Sequence, residues 1–363
     1  DGDLVVVEAP ATGAGRVVEA SDEVGLDGLV LENRQLLVQL GEDGSVTRVL
    51  HKASGRETLA APGNRLELYD DRPVEFDAWD IDPFHLETRV DCAPADSFAV
   101  RTQTALRCEI AFVRAIGERS RLTQVVRLDA ESPYVEFHTT VDWHEEHKLL
   151  KTCFPLDVRA PTATYEMQFG YAERPTHFST SWDRARYEVP GHRFADLSEH
   201  GFGATLLTDS KYGYSCYGNE LRISLLRAPK SPDPDADLGT HTFAYALLPH
   251  AGGWREAGVV AAGLRFNVPV RWCATAPPVP LAAVDDPNLV LDTVKRAEDS
   301  DALVLRLYEA HGARGRARVR LGIPFTEAIT ANLLEDDGEA LVVEGDEVLM
   351  PYRPHQIVTL KIR

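Results

Sequence analysis

The residues best suited to chemistry by type are His144-Glu145-Glu146-His147, Asp233-Pro234-Asp235-Ala236-Asp237 and Asp77-Ala78-Trp79-Asp80-Ile81-Asp82. The first invites a zinc-protease reading, but that site needs two histidines four apart on one helical face, so that both imidazoles reach one metal. Here they are three apart, and an extended chain would point them to opposite faces. The second begins like a calcium loop, with acidic residues at alternate positions as hard oxygen ligands. It then fails, because Leu238 stands where such a loop turns on glycine and Ala244 where a closing glutamate belongs. The third flanks a tryptophan with carboxylates, a combination suited to sugars, whose apolar ring faces stack on indole while hydroxyls bond to carboxylates. A general acid and nucleophile would need carboxyl groups about 5 Å apart in unlike environments, and neighbours in sequence do not establish that. Aromatic residues gather mid-chain at Trp182, Tyr187, Tyr212, Tyr214 and Tyr217, with Arg184, Arg186, His192 and Arg193 close by, mostly as core and rim. There is no P-loop, no G-x-S-x-G elbow and no full G-x-G-x-x-G, since Gly201-Phe202-Gly203 lacks the third glycine. The motifs alone name no reaction.

The elements that must position these residues read as strands. From Tyr134 to Trp143 the apolar Val135, Phe137, Val141 and Trp143 fall on one face, and Glu136, His138 and Asp142 on the other. The same period of two runs through Leu221, Ile223 and Leu225, and through Ala317, Val319 and Leu321. Turn residues at Gly41-Glu42-Asp43-Gly44, Asp336-Asp337-Gly338 and Glu344-Gly345-Asp346 announce hairpins. The best helical candidate spans Asn288 to Ala297 and is short and partly β-branched. The chain is therefore expected to be all-β, of antiparallel sheets packed face to face. A proline-rich break at Ala274 to Pro280 divides it. Residues 1–26 form a lead-in segment, 27–276 a large domain and 277–363 a small β-sandwich.

With 38 basic and 57 acidic residues among 363, the formal charge of −19 repels phosphate backbones and anionic lipid, which argues against nucleic-acid and membrane partners. No run approaches the roughly 20 apolar residues that would span a bilayer. Five scattered cysteines, never paired as C-x-x-C, indicate neither a disulfide framework nor a zinc ribbon and suit a reducing cytoplasm. The opening Asp1-Gly2-Asp3 carries no methionine, which reads as an excised or processed chain.

Longer motifs carry a resemblance. His147-Lys148-Leu149-Leu150-Lys151 through Phe154-Pro155-Leu156-Asp157-Val158, then Thr164-Tyr165-Glu166 and Gly170 to His177, look like the post-catalytic region of the family 38 α-mannosidases. The likeness continues through Thr180-Ser181-Trp182-Asp183, Ala195 to Glu199, Lys211-Tyr212-Gly213-Tyr214 and Leu221 to Pro229. It covers nearly the whole chain, is weakest in the first twenty residues and around Leu321 to Met350, and is closest to the cytosolic and bacterial branch. The resemblance implies that the large domain is the antiparallel supersandwich shared with galactose mutarotases. It also implies that the intact enzyme is a retaining hydrolase of terminal α-mannosides. Its zinc would be held by two His and two Asp of a preceding catalytic domain, the missing partner of this chain. No catalytic residue and no metal ligand can be carried onto this chain, which is expected to bind no zinc and to be inactive alone. What it implies here is a pocket rim for the α-mannoside, at Trp79 with Asp80 and at Arg227. Tyr214 is a further candidate for sugar contact, and the reading admits a homo-oligomer. The alternatives are a self-standing carbohydrate-binding module, using the aromatics near Trp79 or Tyr214, and a mutarotase-like epimerase, which needs a His acid and a Glu base across one sheet.

Overall fold

The computed structural model describes residues 16–18, 29–268 and 280–363. Most of the lead-in and the stretch Ala274 to Val279 of the expected break lie outside these. The fold is all-β, with antiparallel pairing throughout its described sheets. The chain forms two compact units.

The larger unit contains a nine-stranded and a six-stranded sheet sharing one apolar core, with a smaller five-stranded sheet that begins at Arg16–Val18. This is the expected supersandwich. At the centre of the nine-stranded sheet, Val135–Trp143 lies between Ser120–Asp129 and Gly239–Ala251. Its inward residues Phe137, Val141 and Trp143 are fully buried, as alternation requires. Phe137 stacks on Tyr245 at 5.1 Å, and Phe154 of the opposite sheet closes on Phe137 at 5.6 Å. A polar knot sits inside this core. Gln124 donates to the Tyr245 hydroxyl (2.8 Å), which donates to Asn64 Oδ1 (2.6 Å), while Asn64 Nδ2 donates to Gln124 Oε1 (2.6 Å). A slipped register would leave these groups unpaired in a low dielectric, so the knot penalises mispairing of the two sheets.

In the six-stranded sheet, Lys148–Pro155 runs between Arg65–Asp70 and Glu220–Arg227. The helix Val259–Asn267 is absent from the sequence reading, because its two valines and Gly263 give it low intrinsic propensity. Burial of Val259, Val260, Ala262 and Gly263 stabilises it instead.

The second unit comprises Val268–Arg363 together with Met167–Ala172. Its four- and five-stranded sheets enclose Leu305, Leu307, Val319, Met350 and Leu360. The helix expected over Asn288 to Ala297 is instead the strand Leu289–Arg296, paired with Leu303–Glu309 through a bulge between Leu291 and Thr293. Sheet pairing overrides a weak helical pattern whose Val290, Thr293 and Val294 fit an extended chain. The hairpin turn expected at Asp336-Asp337-Gly338 falls earlier. The Asn332 side chain accepts from Leu334 and Asp336 N–H, and Asp337–Ala340 is already strand. At Glu344-Gly345-Asp346 the turn stands as expected, with Gly345 at φ +68°.

Candidate functional site

Of the sequence-predicted residues, Trp79, Asp80 and Arg227 come together, all within the larger unit. Residues 71–82 leave the strand Arg65–Asp70 as a loop, and its carboxylates and carbonyls are fastened from behind. Arg227 ends the strand Glu220–Arg227, and its own carbonyl accepts from the buried Trp143 indole at 2.9 Å. The guanidinium Nε donates to Asp71 Oδ2 at 2.6 Å. Its terminal nitrogens donate to the carbonyls of Asp80 (2.7 Å), Asp77 (3.1 Å) and Ala78 (3.3 Å). One planar fork thus fixes both the root and the tip of the loop, which a point-charge lysine could not do. The Asp77 carboxylate takes up the other side, accepting from the backbone N–H of Lys230 (2.6 Å) and Ser231 (3.1 Å). Trp79 and Asp80 N–H both donate to the carbonyl of Phe76, which holds a positive φ of 55° to close that turn. The Tyr187 hydroxyl donates to the Ile81 carbonyl.

So held, the loop presents Trp79 with 70% of its surface exposed. Trp79, Asp80, Tyr187, Glu188 and Tyr212 line a cavity of about 310 Å³. Tyr212, 55% exposed, supplies the aromatic face on that side. Tyr214 does not. It points into the core with no exposed surface, and its hydroxyl donates to the His192 carbonyl at 2.8 Å. In the strand Gly213–Tyr217 it is Ser215 and Tyr217 that face outward, because side chains alternate.

Charged residues missed by the sequence reading stand on the outer face of the six-stranded sheet. Lys151, almost wholly buried, is ion-paired with Glu188, which also accepts from the Ser224 hydroxyl. Glu67 is fully buried and accepts from Arg222 (2.7 Å), Tyr69 (2.6 Å) and Arg65 (2.8 Å). Burial alone would raise its pKa, but the hydrogen bonds and charge of Arg222, with Tyr69 and Arg65, outweigh that and hold it down at about 2. The signal was present in sequence: Glu67 and Lys151 interrupt apolar runs at positions where alternation points away from the core.

His85, buried between the rings of Tyr69 and Tyr187, has its pKa lowered by burial and by the Lys151 charge. It lines neither adjoining cavity, and Glu188 is committed to Lys151 and Ser224. An exposed acid–base pair across one sheet, as an epimerase needs, is therefore not what these two residues form. His144 pairs with Asp142 at 2.9 Å, and His147 stands 3.6 Å from Asp77 at φ 51°. Both lie in the connection after Trp143 rather than within a strand, so a turn, not strand alternation, sets their directions. Asp233 accepts from Asp235 N–H in an exposed turn. Among the described residues no three His, Cys, Asp or Glu side chains stand where they could share a metal ion. The arrangement can stack a sugar face on Trp79 and bond its hydroxyls at Asp80; the other carboxylate of this cavity, Glu188, is held by Lys151 and the Ser224 hydroxyl.

Comparison with known proteins identifies the family. Residues 31–235 match the glycosyl hydrolases family 38 C-terminal domain, and residues 288–360 the glycosyl hydrolases family 38 C-terminal beta sandwich domain. The chain is 47% identical over 348 residues to alpha-mannosidase 2C1 of Homo sapiens, covering 92% of this chain and 34% of that protein. Against alpha-mannosidase G of Dictyostelium discoideum it is 36% identical, covering 88% of this chain and 31% of that one. It thus spans about a third of the length of these relatives. In fold it is similar to the crystal structure of an alpha-mannosidase from Enterococcus faecalis V583, with a TM-score of 0.73 at 17% identity, over 92% of this chain and 42% of that one. The chain belongs to glycosyl hydrolase family 38, of which it is a C-terminal region.

Proposed function

We propose that the intact protein hydrolyses terminal α-mannosidic bonds with retention, and that this chain supplies the scaffold and one wall of the sugar pocket. The observation that carries this reading is the Arg227 fork, which holds the loop bearing Trp79 and Asp80 in place within a family 38 chain. Four of the five guanidinium N–H groups are committed to the loop, which leaves one for a substrate hydroxyl. The reacting groups belong to a catalytic domain preceding this chain, its principal partner. Among the described residues no three His, Cys, Asp or Glu side chains are placed to hold the zinc of such an enzyme. A cytoplasmic setting accords with this reading.

Trp79→Ala, made in the intact enzyme, is expected to lower kcat/KM on an aryl α-mannoside by about tenfold or more, through lost stacking. The 363-residue chain alone should show no turnover. Turnover by the chain alone that survives chelation would refute the assignment. Micromolar binding of mannose oligomers by the chain alone would favour a self-standing binding module instead.

A further inference from the structure

A second cavity, of about 300 Å³, opens on the outer face of the six-stranded sheet, with Tyr187 forming part of its wall as it does for the Trp79 cavity. Its lining inverts the charge of the chain. Arg89, Lys151, Arg186 and Arg222 face it against the single carboxylate of Glu220, in a protein whose formal charge is −19. Two of these cations are committed. Lys151 pairs with Glu188, and Arg222 is held by Glu67 at 2.7 Å and Glu220 at 2.5 Å.

The other two are not committed in that way. Among the described residues Arg89 donates one long hydrogen bond to Glu67 at 3.3 Å and stands 3.9 Å from Asp91, and Arg186 stands 3.9 Å from Asp183. Both side chains are about half in solvent, at 40% and 45%. They reach the cavity from separate segments, one beside the strand Val90–Asp91 and one just beyond the short helix Ser181–Arg184. The lining also holds Phe178 and Tyr217, stacked on each other with centroids 4.4 Å apart and planes 25° from parallel, and Tyr217 is 54% exposed. Guanidinium forks recognise phosphate and carboxylate, and an exposed aromatic face recognises the apolar face of a sugar ring. The volume sits at the small end of ligand sites, enough for one sugar.

We infer that this cavity is a second carbohydrate site, which takes a single sugar bearing a phosphate or carboxylate, with the anion on Arg89 and Arg186 and the ring against Tyr217, backed by Phe178. It is separate from the Trp79 rim and does not depend on the mannosidase reading.

Isothermal titration of the 363-residue chain with glucose 6-phosphate, glucuronate, inorganic phosphate and mannose tests it. Glucose 6-phosphate, glucuronate or both should bind more tightly than either inorganic phosphate or mannose. The better ligand shows which anion the site prefers. The Arg89→Gln/Arg186→Gln double variant should weaken that binding by about tenfold or more, since it removes the charge-assisted bonds. Tyr217→Ala, which removes the stacking face and no charge, should weaken it independently and guards against a folding defect in the double variant. The inference is overturned if neither anionic sugar binds. It is equally overturned if both sets of variants bind as the parent does, or if phosphate or mannose alone binds as well.

Discussion

The grip of Arg227 on its loop can be measured. Arg227→Lys keeps one positive charge near Asp71 but cannot reach that carboxylate and the loop carbonyls together. The 3.3 Å contact to Ala78 is weak, so the real loss is the bonds to Asp80 at 2.7 Å and Asp77 at 3.1 Å. A hydrogen bond from a charged donor contributes about 1.5–3 kcal/mol, and the lower part of that range applies because the Arg227 side chain is 19% exposed. Two such bonds lost amount to about 3–4 kcal/mol, or about 150- to 1,000-fold in the equilibrium for opening the loop. Amide hydrogen exchange reads this directly at Trp79 and Asp80, whose N–H groups bond to Phe76, and at Val74, whose N–H bonds to Asp82. Exchange at these amides should rise by that factor, while amides of Val135–Trp143 stay as they were. A rise below about threefold would refute the argument that the fork holds the loop, as would an equal rise throughout the sheet.

Glu67→Gln should destabilise the larger unit by about 3–5 kcal/mol, because it leaves the Arg65 and Arg222 charges without their buried partner; urea unfolding checks this. Because the folded pKa of Glu67 is depressed to about 2, its stabilisation is fully present above its ordinary value near 4.5 and is lost as pH falls through 2. That share of the acid sensitivity, about 3 kcal/mol in all, should vanish in Glu67→Gln, and an unchanged acid profile would contradict the assignment. Tyr214→Phe should cost about 1 kcal/mol through the lost bond to His192, with kcat/KM of the intact enzyme on an aryl α-mannoside unaltered; a fall in kcat/KM would show that Tyr214 does reach substrate.

Much of the fold was legible because an antiparallel strand with one wet face writes itself as alternation. Val135–Trp143, Glu220–Arg227 and Gly315–Leu321 all read directly. Leu289–Arg296 did not, since its exposure is broken by a bulge that shifts the phase of the pattern. In the loop 71–82 and at its anchor, Trp79 with Asp80 and the strand-end Arg227 could be singled out from residue type and resemblance. That Arg227 works by holding the loop could not, because its partners lie 147 to 156 residues away in the chain. The pairing of Lys151 with Glu188 was hidden for the same reason, its partners standing 37 residues apart. Tyr214 and Tyr212 differ by two positions and are alike in composition. Only the start of the strand at Gly213 decides that one ring is core and the other surface.

The hairpin tip Met167–Ala172 belongs to the same compact unit as the C-terminal residues. Phe169 meets the edge of Tyr308 at 5.4 Å, and Tyr171 meets His355 at 5.4 Å. Residues 280–363 expressed by themselves would therefore lack six residues of their own packing and would uncover the ring of Tyr308 to water. An expression boundary for this unit is better designed with a grafted copy of the tip than with a single cut.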